Sequence, residues 1–157
     1  MEKYIQSFIK VCESVFRDFC STEVKAGEVF YLTREKRDMG WDISGIIGLS
    51  GQISGAVALS MKDNVAFQLT KTLTGVNHNT FDADVTDAIG EIINIITGNI
   101  KKEFEESYRT AISIPSIVQG KGHRLIWPSK NIRIICIPFI IFSGEDIFIS
   151  IAVDDAK

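Results

Sequence analysis

The segment from residue 82 to residue 108 carries large apolar residues at helical spacing. They recur every three or four positions, as on the apolar face of an amphipathic helix. The residues of this apolar face are Val85, Ile89, Ile92, Ile96, Ile100 and Phe104. Because helical stability comes mostly from packing such a face, the segment predicts a long helix, opened by Asp82 or Asp84, that packs on another layer.

The opposite face of this predicted helix is polar. At about 100° per residue, Asp87, Asn94 and Gly98 all fall within about 60° of Glu91. An acid and an amide that lie side by side can hold the cation of a partner and orient a water molecule. The spacing therefore favours Glu91 and Asn94 as a functional pair, although two polar residues on a helix are also common on an ordinary wet surface.

Small and apolar residues surround this pair. Gly90 and Gly98 each cost about 1 kcal/mol relative to Ala inside a helix, so we interpret them as places where another surface approaches closely. Ile93 and Ile95 flank the pair and predict a partly apolar surface around it.

The remaining periodicity predicts an α+β fold, a largely antiparallel sheet with long amphipathic helices packed on it, in one domain over residues 1–157. Small residues such as Gly45 and Gly48 are expected to let a helix lie close to the sheet. Turns are predicted at Ser50–Gly51 and at 120–122, and Pro115 is expected to bend a strand. The predicted helices cover residues 3–19, 63–73 and 82–108, the second capped by Asp63–Asn64, and the predicted strands cover residues 28–33, 42–49, 52–61, 112–118, 132–142 and 147–153.

Charge and hydropathy exclude several classes of function. The net charge of −3 comes with no basic stripe that could neutralise phosphates, which argues against nucleic-acid binding. No apolar run is long enough to predict a membrane span, and the first residues lack the pattern of a signal peptide. We therefore expect a cytoplasmic protein.

Cysteine and histidine predict no metal site. The three cysteines, Cys12, Cys20 and Cys136, are scattered without a C-x-x-C pair and indicate buried small apolar residues. His78 and His123 have no Cys, His or carboxylate at ligand spacing in the sequence. The serines of the first hairpin lack a His–Asp pattern, so a serine hydrolase is a poor interpretation.

The segment Asp87-x3-Glu91-x2-Asn94, with Pro115 after twenty further residues, resembles the signature of the CheC/CheX/FliY chemotaxis phosphatases. The glycine-rich hairpin at 45–61 is similar to the hairpin that precedes the signature helix in that family. One copy of E-x-x-N and the chain length favour the CheX branch over the CheC branch.

The resemblance implies a reaction and roles for the residues. It implies removal of the phosphoryl group from phospho-aspartate on the response regulator CheY, with Glu91 bound to the lysine of the regulator and Asn94 orienting the attacking water. Asp87, Gly90, Ile95 and Gly98 become weaker candidates for contact with the regulator. Mg²⁺ would come from the active site of CheY, so the chain itself needs no cofactor.

Two alternative functions remain open from the sequence, and so does the oligomeric state. The same face could bind a receiver domain or a flagellar-switch component without hydrolysis, or the domain could be structural and self-associating. Asp87 could equally be an ordinary exposed residue. The resemblance also implies a homodimer through a continuous sheet, and the apolar strand at 132–142 is the predicted edge.

Overall fold

The computed structural model describes residues 2–32, 39–127 and 132–154. Within them the chain forms three α-helices and eight β-strands. The helices are α1 (Ile5–Cys20, preceded by a 3-10 turn at Glu2–Tyr4), α2 (Asp63–Thr74) and α3 (Ala83–Phe104). The strands are β1 (Val24–Ala26), β2 (Phe30–Tyr31), β3 (Trp41–Gly51), β4 (Gly55–Met61), β5 (Thr110–Ile112), β6 (Ser116–His123), β7 (Ile132–Ile141) and β8 (Glu145–Asp154).

The strands form one antiparallel sheet, which confirms the predicted α+β class. Its order is β1-β7-β8-β4-β3-β5, with β2 also paired to β7 and β6 also paired to β3. Helix α3 packs against α1 and α2 and against strands β3 to β6. The core lies between this helical layer and the inward side chains of the sheet.

The periodicity of α3 predicted its buried face correctly. Val85, Ile89, Ile92, Ile96 and Ile100 are all fully buried. The side chain of Phe104 lies outside the part of the chain that the structure describes. Asp82 caps the helix, because its Oδ1 accepts the Val85 N–H at 3.0 Å. The helix ends at Phe104 rather than at residue 108.

The predicted position of the first hairpin turn is wrong. Leu49 pairs with Gly55, but β3 continues through Ser50 and Gly51, which pair with Ala111 and Thr110 of β5. The reason is that β5 provides a hydrogen-bonding partner for the end of β3. The connection to β4 therefore lies at 52–54.

The predicted cap of α2 is found in part, because Asp63 Oδ1 accepts the Asn64 N–H at 2.7 Å, while a side chain from another element binds the Asp63 N–H. The N-cap residue, Lys62, makes no side-chain capping bond. Instead Asp42 Oδ2 on β3 accepts the Asp63 N–H at 3.0 Å, and Asp42 Oδ1 accepts the Gly122 N–H at 3.1 Å. Asp42 is buried and thereby ties α2 to β6.

The glycines at 120–122 lie in a strand instead of the predicted turn. They belong to β6, whose register against β3 shifts between Trp41 and Ile43. Gly120 and Gly122 have φ values of 157° and 71°. Such an irregularity is a β-bulge, where glycine accepts a backbone conformation that other residues rarely adopt. The first predicted strand, at 28–33, is found only in part, as the short strand β2; the strand β1 precedes it, and the last residue of the predicted range lies outside the described part.

Strand β7 is an interior strand, so the predicted sheet edge at 132–142 is wrong. It pairs with β8 on one side and with β1 and β2 on the other. In the described part of the chain, β6 pairs only with β3 and lies at a margin of the sheet. Strands β1, β2 and β5 also have a single partner strand in the described residues, and β6, with eight residues, is the longest of these strands with an edge open to pairing.

The three cysteines are buried, as predicted, and Cys136 Sγ lies 3.3 Å from Ser150 Oγ. Burial raises the pKa of the Cys20 thiol to about 12, so this group is an inert apolar residue at neutral pH. Among the helices of the described residues, none combines the length and the hydropathy needed to cross a membrane.

Candidate functional site

Glu91 and Asn94 lie on the exposed face of α3. Both side chains are exposed, as is Asp87 one turn earlier. None of the three makes a side-chain hydrogen bond or ion pair with another described residue. The acid and the amide are therefore available to an incoming molecule, and their spacing of three residues places them on neighbouring turns of one face.

The helix holds this pair on a stiff support. Its opposite face is fully buried against the sheet and the other two helices. Polar groups that project from a packed helix are positioned more precisely than groups on loops. The arrangement suits a reaction that depends on the position of a water molecule and on the docking of a charge.

Gly90 contacts another part of this chain, which contradicts its interpretation as a place where an outside surface approaches. It is buried, and a Cβ atom there would lie 3.8 Å from Pro115 Cγ and 3.9 Å from Ile117 Cδ1. The small size of Gly90 lets the connection between β5 and β6 lie beside α3. Pro115 interrupts the strand as predicted, and it also covers the helix next to Glu91.

Gly98 and the flanking isoleucines differ in how far the rest of the chain covers them. Gly98 has open space around it, since a Cβ atom there would meet nothing within 4 Å. Ile95 is half-buried and packs against the core, while Ile93 is fully buried. The prediction that Ile93 flanks the site on the surface is therefore wrong. Ile95 and Gly98 remain predicted contacts.

The connection at 113–115 is a part of the site region that the sequence did not reveal. Ser113 N–H donates to the Gly48 carbonyl at 2.9 Å, and Gly48 N–H donates to Ser113 Oγ at 2.9 Å. The Ser113 hydroxyl also donates to the Ile114 carbonyl at 2.8 Å. Gly48 thus lies beside this loop. It had been expected to lie under a helix.

His78 lies close to two carboxylates at the beginning of α3, contrary to the expectation from sequence spacing. Potential ligand atoms of His78, Asp82 and Asp84 lie within 4.8 Å of one another. His78 Nδ1 lies 2.9 Å from Asp82 Oδ2, and its Nε2 lies 3.2 Å from Thr74 Oγ1. The hydrogen bonds of Asp82 to His78 and to the Val85 N–H lower the pKa of the Asp82 carboxyl. These contacts connect the end of α2 to the start of α3.

The sheet pairs a serine with a histidine that the sequence pattern did not connect. Ser44 Oγ lies 2.8 Å from His123 Nε2 and 2.7 Å from Ser60 Oγ, and His123 Nδ1 donates to the Gly120 carbonyl at 2.8 Å. Ser44 is completely buried, so no substrate reaches its hydroxyl. This network holds β6 against β3 and does not form a nucleophilic site.

The fold, three helices on one antiparallel sheet, is that of the CheC-like proteins, and the long helix carries the exposed acid and amide three residues apart. The model of the family "Chemotaxis phosphatase CheX" matches residues 43–140, and the chain belongs to this family. It is similar to the CheY-P phosphatase CheX of Thermotoga maritima, with 23% identity over 154 residues that cover 96% of each chain.

Solved structures show the same fold. A chemotaxis protein CheX from Vibrio vulnificus superimposes with a TM-score of 0.85 and 27% identity, covering 96% of this chain and 99% of that one. CheX in the CheX–CheY–BeF3–Mg²⁺ complex from Borrelia burgdorferi gives a TM-score of 0.78 at 23% identity, covering 97% of this chain and 98% of that one.

Proposed function

We propose that this chain hydrolyses the aspartyl phosphate of a CheY-type receiver domain. Glu91 binds the lysine of the receiver, and Asn94 orients the water that attacks phosphorus in line. The observation that carries the proposal is the joint exposure of Glu91 and Asn94 on one face of α3. Membership of the CheX family supports it.

The names of two similar proteins support the proposed substrate. The relative from Thermotoga maritima is named a CheY-P phosphatase, and the structure from Borrelia burgdorferi contains CheY, BeF3 and Mg²⁺ together with CheX. We transfer from them a receiver domain as the partner and Mg²⁺ as an ion that the receiver holds. In this proposal the phosphatase contributes no metal ligands of its own.

The proposed chemistry needs neither a nucleophile nor a strong base on this chain. Water adds to phosphorus while the bond from phosphorus to the aspartyl oxygen breaks, giving inorganic phosphate and a free carboxylate. Phosphoryl transfer of this loose kind depends mainly on positioning and electrostatics. Asn94 would hold the water in place and lower the entropic part of the barrier, while Mg²⁺ and lysine of the receiver balance the phosphoryl charge.

The assembly that we propose is a homodimer through the open edge of β6. In the described residues β6 pairs with β3 alone, and an unpaired edge is a template for another strand. Light scattering tests whether the chain forms a dimer. The mass of two chains is expected, and the mass of one chain across micromolar concentrations would contradict the dimer.

Turnover distinguishes the enzyme from a non-catalytic binding module of the same fold. A receiver phosphorylated in the presence of Mg²⁺ is mixed with substoichiometric amounts of this protein, and phosphate release is followed over time. An enzyme releases many phosphates per chain. A binding module leaves the rate at that of the receiver alone or slows it, because it protects the phosphoryl group, and either result would contradict the proposed hydrolysis.

A further inference from the structure

The connection between β5 and β6 carries a solvent-exposed aliphatic side chain. Ile114 is 84% exposed. A single exposed aliphatic residue is ordinary on a protein surface, so exposure alone assigns it no role. What distinguishes Ile114 is the stiffness of its loop and the place where that loop lies.

Three hydrogen bonds hold the loop in shape. Ser113 and Gly48 exchange two of them, each at 2.9 Å, and the Ser113 hydroxyl donates the third to the Ile114 carbonyl at 2.8 Å. Pro115 follows immediately and restricts the backbone further. A side chain on such a loop loses little conformational entropy when a partner covers it, so its apolar surface contributes efficiently to binding.

The loop flanks the turn of α3 that carries the candidate site. A Cβ atom at Gly90 would lie 3.8 Å from Pro115 Cγ, and Gly90 and Asn94, four residues apart, share one side of the helix. Since consecutive Cα atoms are about 3.8 Å apart, the Cα atom of Ile114 lies within roughly 15 Å of that of Glu91.

A docked protein domain reaches this distance. A standard interface covers about 800 Å² on each partner, which corresponds to a disc of about 16 Å radius. A domain centred on Glu91 and Asn94 therefore extends to Ile114. Because the acid and the amide are both polar, an apolar anchor at their side would add buried apolar surface to the ion pair that Glu91 contributes to binding.

We infer that Ile114 is a docking residue for the phosphorylated receiver domain and packs against an apolar patch beside the phosphoryl pocket of the receiver. The inference rests on the proposed function. Ile114 acts on binding and orientation and touches no reacting atom, so its effect belongs in KM rather than in kcat.

Ile114→Ser and Ile126→Ser form a matched pair. Ile126 is the same residue type, is 85% exposed, and follows the opposite end of β6. At about 3.3 Å per residue, the eight residues of β6 place it roughly 25 Å from the loop. Steady-state phosphate release with the phosphorylated receiver is expected to show KM raised about tenfold by Ile114→Ser. Neither kcat nor the thermal midpoint should change, and Ile126→Ser should match wild type.

An unchanged KM in Ile114→Ser, or an equal rise in both variants, would overturn the inference. So would a change in oligomeric mass of Ile114→Ser with KM unaffected, because the residue would then bind a second copy of the chain. Failure of wild type to release phosphate contradicts the proposed hydrolysis instead. In that case titration of the phosphorylated receiver measures affinity directly, and equal affinity of Ile114→Ser and wild type, or no binding by wild type, overturns the inference.

Discussion

Gly45 of β3 lies directly beneath Ile93 of α3. A Cβ atom at Gly45 would be 2.9 Å from Ile93 Cγ2, and two further side-chain atoms of Ile89 and Ile93 lie at 3.4 Å. The helix rests on the strand with no space for a methyl group. Since Asn94 follows Ile93, this contact also sets the height of the candidate site above the sheet.

Gly45→Ala is expected to lower the free energy of unfolding by about 1–3 kcal/mol, because it overpacks a closed contact. Displacement of α3 should also slow phosphate release. Urea unfolding and the release assay measure the two effects.

Gly48→Ala is the matched control for that variant, on the same strand. A Cβ atom there would meet Ser113 Oγ at 3.5 Å, an ordinary contact, so the free energy of unfolding should fall by no more than about 0.5 kcal/mol. Equal destabilisation by the two substitutions would contradict the close contact at Gly45.

Gly98→Ala separates stability from docking. Since a methyl group there meets nothing in the chain, the better helix propensity of Ala should raise the free energy of unfolding by about 0.5–1 kcal/mol. If the receiver approaches closely at Gly98, KM should rise at the same time. Gly90→Ala is the control, because Pro115 covers Gly90. The KM of the Gly90→Ala variant should stay at the wild-type value. A stabilised Gly98→Ala protein with wild-type KM would show that Gly98 does not contact the receiver.

Asp42 links stability to pH. Burial raises the pKa of its carboxyl, but the backbone N–H groups of Asp63 and Gly122 outweigh that effect, and the pKa lies below its ordinary value. Its stabilising contribution is therefore complete above the unfolded pKa, about 3.9, and is lost as the pH falls through the lower folded value. Asp42→Asn should cost about 1–3 kcal/mol at pH 7.

Urea unfolding at several pH values measures the difference between wild type and Asp42→Asn. The difference should narrow below about pH 4, where the wild-type carboxylate takes up a proton. Asp82 also has a lowered pKa, but it is present in both proteins and cancels in the comparison. A difference that stays constant down to pH 2 would contradict the role of the Asp42 charge.

Local periodicity predicted much of the fold because it reports on burial. The 3.6-residue spacing of aliphatic residues identified both faces of α3, and with them the exposure of Glu91 and Asn94. The same pattern says nothing about which distant segment covers a residue. The low helix propensity of Gly90 could be recognised in the sequence, but its contact with Pro115 could not.

Long-range hydrogen bonds account for the errors. Asp42 and Gly122 are 80 residues apart, so the cap of α2 and the strand at 120–122 depend on a pairing that no local window contains. The glycines that indicate a turn equally suit a β-bulge. The edge of the sheet likewise depends on the order of the strands, which placed β7 inside and β6 at the margin.

Glu91→Gln removes the charge and keeps the shape of the side chain. We expect it to raise KM for the phosphorylated receiver about tenfold at low salt, because an ion pair with the lysine of the receiver is lost. The effect should shrink at high salt, since exposed charges are screened. Steady-state phosphate release at two ionic strengths measures it.

Glu103→Gln removes an exposed charge from the same helix, about 120° away from Glu91. It should behave as wild type at both ionic strengths. Identical effects of the two variants would show that only the net charge of the helix matters.

The most direct measurement is single-turnover phosphate release by Asn94→Ala with saturating phosphatase. Asn99→Ala is the control, because it removes an amide from the same helix that contacts Lys102 of its own chain. We predict a loss of about 10²–10³ in the rate of Asn94→Ala, comparable to deletion of one preorganised hydrogen-bonding group, and a wild-type rate for Asn99→Ala. A wild-type rate for Asn94→Ala would contradict its role in positioning water.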